Sequence, residues 1–383
     1  MNICHVITRL IVGGAQENTV LTCRGLVERG HRVTLIAGPE TGAEGSLWDA
    51  ARASGSDAVV LHSLRRAAHP WFDVAARRAL VRMFREIGPD VVHTHSSKAG
   101  ILGRAAAAAA GVPVVIHTIH GMSFNRTQAR AVQWCYRGLE RWAAKRTTAF
   151  VTVADAMIDQ AVAARLGPRE KFVTVRSGIE TQRFTPSAES RIRHRRAWGF
   201  GETDVVVGTI ARLFVNKGYE AIIPAMREAA AKEPRLRFVW VGDGDDRERY
   251  TRRLEQLGLR DRVHLTGLVP PAKVPSLING FDLMLHASAW EGLPRALVQG
   301  MLMQVPAVSF DNDGAPEVVR PGETGILVPC GDIKRLADAV VELAGAAERR
   351  RVMGAAGRVR CLKLFDVATM VTELEALYRR CLP

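Results

Sequence analysis

The pattern that most restricts the fold of this chain is an alternation that runs through it twice: a short apolar run, a loop carrying glycine or histidine, then a helix-length run. Residues 3–8 (ICHVIT) are apolar, Gly13 and Gly14 follow, a helical stretch continues to about Arg29, Gly30 ends it, and residues 32–37 are apolar again. Strand, glycine loop, helix and strand in this order open a parallel, doubly wound sheet, since parallel neighbours need a crossover and a helix supplies one. Further strands are expected at 57–61, 90–94, 112–117, 149–153 and 172–175, and the alternation resumes at 205–210, 237–241, 262–265, 281–286 and 306–310. Residues 187–196 are polar and charged, as expected of a linker. With 383 residues the chain has material for two or three domains, each with its own core. An α/β class is expected for both halves.

Composition narrows the function classes. Hydrophobic residues make up 47% and charged residues 24%, the proportions of a globular protein. The longest apolar run, 105–116, is too short to span a bilayer and contains Gly111 and Pro113. No secretory signal is visible, because the first apolar run is cut by Arg9 and a glycine pair. The six cysteines show neither a C-x-x-C pair nor metal-ligand spacing, so a reduced, cytoplasmic protein is expected. The net charge is +14, and most of the excess sits in the first half. An anionic partner would account for it, whether a phospholipid surface, a phosphorylated acceptor or nucleic acid; so would an arginine-rich surface with no specific partner. Charge apart, no nucleic-acid-binding module is present.

The chemistry-bearing residues fall where strands end. Gly13 and Gly14 would let a ligand approach the backbone, although a Gly-Gly pair is often only a turn. The run HTHSSKAG (93–100) and the run HTIHG (117–121) place histidines at such ends. His93, His95 and His117 are expected on the ends of separate strands without a carboxylate partner, so no metal is assigned to them. In the second half, Arg212 and Lys217 lie on one loop between a strand and a helix, where two cations and a helix N-terminus can clamp a diphosphate. Residues 289–317 hold Glu291-Gly292-Leu293-Pro294, a helical run from Arg295 and a further strand, an arrangement that presents backbone N–H groups to an anion. One stretch, 126–146, reads as a basic helix with Val132, Cys135, Leu139 and Trp142 at helical spacing and with Trp134 and Tyr136 as amphipathic rings. It fits either the surface of an anionic membrane or an ordinary packed helix with a solvated basic face.

Several of these pieces, in order, resemble retaining glycosyltransferases of family 4. The loop G-G-A-Q is similar to the family's G-G-A-E, with Gln16 in place of Glu; HTHSSKAG and HTIHG resemble members that build bacterial surface polysaccharides; Arg212 to Gly218 match R-L-x-x-x-K-G; and Glu291 opens an E-x7-E motif whose second position is Gln299. The resemblance implies the GT-B fold, two Rossmann-like domains with parallel sheets facing across a cleft and a C-terminal helix crossing back to the first. It implies an acceptor-binding domain at 1–186 joined by about 366–383, and a donor-binding domain at 187–365. It assigns the diphosphate to Arg212 and Lys217, the sugar hydroxyls to Glu291 and His120, the nucleobase to the loop at Leu268 and Val269, and further donor contacts to Gly13, Gly14, Gly292, Leu293, Pro294 and Arg295. The family's second Glu binds the ribose, so Gln299 is expected to weaken donor affinity without removing the chemistry. No cofactor and no metal is implied. The expected donor is a nucleotide sugar, UDP before GDP, and the acceptor is a lipid-linked or polysaccharide intermediate at the inner face of the plasma membrane. A non-catalytic nucleotide-sugar-binding protein of the same fold, or an epimerase, is the alternative.

Overall fold

The computed structural model describes residues 1–39, 45–124 and 128–383. Two compact units are formed, Met1–Ile179 with Val367–Pro383, and Glu180–Asp366. The first unit is built on seven strands: β1 (Asn2–Arg9), β2 (Arg32–Gly38), β3 (Asp57–Val60), β4 (Val91–His95), β5 (Val114–Ile119), β6 (Ala149–Thr152) and β7 (Phe172–Thr174). Their order is β3-β2-β1-β4-β5-β6-β7, and every ladder is parallel. The second unit has six: β8 (Val205–Ile210), β9 (Leu236–Val241), β10 (Val263–Gly267), β11 (Leu283–His286), β12 (Ala307–Asp311) and β13 (Gly325–Pro329), ordered β10-β9-β8-β11-β12-β13 and again parallel throughout.

The period of two along a strand sends alternate residues to opposite faces. On β1, Ile3 and Ile7 enter a core with the helix Gly14–Glu28 and the helix Val367–Cys381, while Cys4 and Val6 enter the opposite core with Leu80, Phe84, Ala99 and Ala106. The last helix belongs to the first unit through Met370, Val371, Leu374, Leu377 and Tyr378, all buried. It lies so close to the first helix that a Cβ on Gly25 would come within 2.6 Å of Val371 Cγ2.

The expectation of a linker fails. Residues 187–196 are not a linker: Ala188–Ala197 is a helix, capped by Ser187 Oγ, which accepts from Ser190 N at 3.2 Å. It is fixed to the second unit by charge. Arg191 donates to Asp282 Oδ1 at 2.6 Å, Arg195 donates to Asp282 Oδ2, and the same oxygen accepts from Val206 N at 2.7 Å. Burial alone would raise the Asp282 carboxyl; the two guanidiniums outweigh it and hold it below its ordinary value.

Candidate active site

In the second unit the relevant groups collect where β8 and β11 end. These strands are neighbours at the point where the strand order reverses, and open α/β sheets place their crevices there. Gly218, at φ +81, closes the loop after β8; a Cβ there would lie 1.9 Å from Ala287 O, so only glycine fits. The close approach lets Ala289 N donate to Asn216 O at 3.0 Å and Lys217 Nζ donate to Glu291 Oε1 at 2.5 Å. Glu291 N donates to Asp313 Oδ2 at 2.7 Å, and His286 Nε2 lies 3.7 Å from Glu291 Oε1. Burial would push the Glu291 carboxyl up, but the Lys217 ammonium and the His286 ring prevail and hold it well below the usual carboxylate range.

The other expected residues stand on the same edge of the sheet. Arg212 is exposed, its guanidinium 5.8 Å from the Phe214 ring centroid. Its loop is buttressed by the G-D-G turn after β9: a Cβ at Gly242 would meet Ala211 O at 2.2 Å, and one at Gly244 would meet Leu213 O at 2.4 Å. Gly267 O accepts from Gly242 N at 3.1 Å and leads into exposed Leu268 and half-buried Val269. Gly292, Leu293 and Pro294 are buried; Arg295 opens the helix Arg295–Leu302, on which Gln299 is half-buried.

In the first unit the loops after β1, β4 and β5 border a cavity of about 280 Å³, lined by Ala15, Ser96, Ser97, His117, His120, Ser123 and Glu140 among others. Gly14 is exposed at the start of its helix; Gly13 has φ −179, an extended conformation open to any residue. Ser96, with φ 60 and ψ 162, sits in a region nearly reserved for glycine. Thr8 N donates to Ser96 Oγ at 3.3 Å, and the two hydroxyl oxygens are 2.6 Å apart. Glu140 reaches the cavity from the helix Arg130–Ala144, with Arg104 Nη2 donating to its Oε2 at 2.6 Å and Ser123 Oγ to its Oε1 at 3.3 Å. Arg104 is itself fully buried.

The histidines group differently from expectation. His93 and His95 share β4 and, by alternation, the face that His5 occupies on β1; His117, on β5, points to the other face. His117 Nδ1 lies 2.9 Å from Thr94 Oγ1, and its ring lies so near Gly100 that a Cβ there would be 2.4 Å from Cε1. His95 Nδ1 lies 3.1 Å from His120 Nε2. Sequence reasoning did not single out Ser96, Glu140, Asp313 or His5. The strained backbone and the cross-strand partners of these residues exist only once the strands are paired. His5, inside an apolar run, carried a weak signal as a polar residue facing a core.

The helix Arg130–Ala144 leaves its apolar stripe uncovered. Trp134 is 79% exposed, and Val132, Cys135, Leu139 and Trp142 are exposed too, whereas its buried residues are Glu140, Ala143 and Ala144. Arg126 and Thr127, at the head of the expected run, lie outside the described residues. Among the described residues no helix is long and apolar enough to cross a membrane.

Two Rossmann-like units with parallel sheets, each with its loops of interest at the C-terminal strand ends, define the GT-B class of glycosyltransferase folds. The family described as Glycosyltransferase Family 4 matches residues 12–183, and Glycosyl transferases group 1 matches residues 190–360. EpsD of Bacillus subtilis (strain 168), named as a glycosyltransferase, is 30% identical over 321 residues, covering 82% of this chain and 83% of EpsD. An Escherichia coli enzyme, UDP-Gal:alpha-D-GlcNAc-diphosphoundecaprenol alpha-1,3-galactosyltransferase, is 26% identical over 310 residues, covering 80% of this chain and 79% of its own. Among solved structures, Anabaena HepE in complex with UDP and glucose superposes with a TM-score of 0.85 at 20% identity over 99% of both chains. The chain belongs to glycosyltransferase family 4 and is a glycosyltransferase of glycan biosynthesis.

Proposed function

We propose that the protein moves a sugar, with retention at the anomeric carbon, from a nucleoside-diphosphate donor to a lipid-linked or polysaccharide acceptor of the cell envelope, with UDP rather than GDP on the donor. The observation that carries this is the contact between Lys217 and Glu291 at the ends of two adjacent strands. It sets a cation for the diphosphate beside a carboxylate for the sugar hydroxyls. In the reaction the bond from the anomeric carbon to the phosphate oxygen breaks and a bond to the acceptor oxygen forms on the same face. The acceptor's proton passes to the leaving phosphate, so no protein nucleophile is required. Negative charge grows on that phosphate, and fixed cations and dipoles aimed at it lower the barrier most. Arg212, Lys217 and the backbone N–H groups of Leu293 and Arg295 fill that role. Glu291 and His120 orient the sugar, and Gln299 meets the ribose. The second unit takes the donor and the first the acceptor.

A UDP donor is supported by the name of the E. coli relative and by the ligand of HepE. A lipid-linked acceptor is supported by the same relative's name and by the exposed tryptophans and basic residues of the helix Arg130–Ala144, which suit the surface of an anionic membrane. Incubating the protein with UDP- and GDP-sugars, with and without polyprenyl-diphosphate sugar, tests the reading. Transfer or donor hydrolysis with a UDP-sugar and an α-linked product is expected. Inverted product, or activity with GDP-sugars alone, would refute the corresponding part. Sedimentation with anionic and neutral vesicles tests the membrane surface, and equal binding to both would refute it.

A further inference from the structure

Three imidazoles run in line from the core to the cavity of the first unit. His5 Nδ1 lies 3.0 Å from His95 Nε2, and His95 Nδ1 lies 3.1 Å from His120 Nε2. The His5 and His95 rings are close to parallel, at an interplanar angle of 11°. The other nitrogen of His5, Nε2, is buried and has no hydrogen-bond partner among the described residues. Beside the line, His93 is held separately, Nδ1 at 2.5 Å from Tyr378 Oη and Nε2 at 2.6 Å from Thr118 Oγ1.

A neutral imidazole carries one N–H and one lone pair. Burial keeps His5 and His95 neutral, so each link has one donor and one acceptor, and the whole line must point one way. If it points inward, His120 Nε2 donates to His95 Nδ1, His95 Nε2 donates to His5 Nδ1, and the last proton sits on His5 Nε2 as a buried N–H with nothing to accept it. If it points outward, His5 Nδ1 donates to His95 Nε2, His95 Nδ1 donates to His120 Nε2, and His5 Nε2 keeps only a lone pair. Among backbone groups a buried N–H without an acceptor is rarer than an under-satisfied acceptor, and the same preference is carried here to the imidazole. The outward direction therefore prevails, and it leaves the proton of His120 on Nδ1.

We propose that His5 and His95 are positioning residues that fix the tautomer of His120, so that the ring in the cavity wall carries its proton on Nδ1 and serves the reacting sugar as a hydrogen-bond donor. It would not act there as a general base. This rests on the reading of His120 as a sugar contact. Two residues with no contact to substrate thereby gain a role in the reaction, one of them in the middle of the first strand.

Long-range proton–nitrogen NMR on the full chain with labelled histidine reads the tautomer without substrate. A protonated Nδ1 and a bare Nε2 on His120 are expected. In His5→Leu the line loses its terminal donor, His120 should become a mixture of tautomers, and kcat should fall about tenfold, the worth of one hydrogen bond, with KM for the donor little changed. His5→Asn keeps an N–H where Nδ1 stood, and should restore both the tautomer and the rate. A His120 protonated on Nε2 in the unaltered protein, or a His120 tautomer unaffected by His5→Leu, would overturn the proposal. So would stoichiometric metal in the purified protein whose removal shifts the His5, His93 and His95 resonances. His120→Ala judges the underlying reading separately: undiminished transfer would remove His120 from the reaction whatever its tautomer.

Discussion

Lowering the pH from 7 to 5 should unfold the first unit. His5, His93, His95 and His117 are buried there, and burial holds each below its ordinary value of 6.5, His5 down to about 3. In the unfolded chain the same groups take up protons near pH 6.5. The unfolded state therefore binds more protons below that pH, and stability falls as pH falls, beginning near 6.5 and continuing down to the folded pKa values. For one histidine that stays neutral when folded, the loss between pH 7 and pH 5 is about 1.9 kcal/mol, and for four it is about 8 kcal/mol. That rivals the whole stability of a typical domain, roughly 5–15 kcal/mol. Urea unfolding followed by hydrogen exchange, with separate peptides for β1, β4 and β5 and for β8 and β11, gives each unit its own stability at each pH. The first unit should lose stability with a slope of more than about three protons between pH 6 and pH 5. His93→Asn should reduce that slope by about one. A slope of one proton or less would mean that the buried rings are charged in the folded state, and the reasoning would fail.

Lys217→Ala should lower kcat by about 10²–10³, the usual cost of losing one group aimed at developing charge, and should raise the Glu291 pKa, visible as a new acid limb in the rate profile. Gln299→Glu should tighten nucleotide binding by about 5–30-fold, measured by calorimetry, because a charged acceptor replaces a neutral one; unchanged affinity would remove Gln299 from the ribose site. Gly218→Ala places a Cβ against Ala287 O at a positive φ and should destabilise the second unit by more than about 2 kcal/mol in urea. Deleting residues 367–383 strips five buried side chains from the first core and should yield insoluble protein, or a chain in which only the second unit resists proteolysis.

Much of the fold was legible because its strands are apolar runs bounded by glycine and histidine, and because two parallel sheets leave few other readings of such alternation. The helix Ala188–Ala197 was not legible. It carries no apolar stripe, and its attachment is two arginines meeting one aspartate ninety residues away in the chain, which no local pattern announces. The loops at Arg212, Lys217 and Glu291 were located from their place between strand and helix. Their contact was not, since it depends on β8 and β11 being neighbours. The histidines were misplaced for a related reason: which face of a sheet a residue takes follows from where the strand begins, and one added residue reverses it.

The last helix has a consequence for how the chain is made. It supplies part of the core that surrounds β1, so β1 waits for the helix Val367–Cys381, made much later, before its own unit can close. The stretch between, 180–366, contains a whole unit and draws its core from no other part of the chain. The core around β1 is thus closed between segments far apart in the chain, while the core of the second unit closes within one continuous stretch.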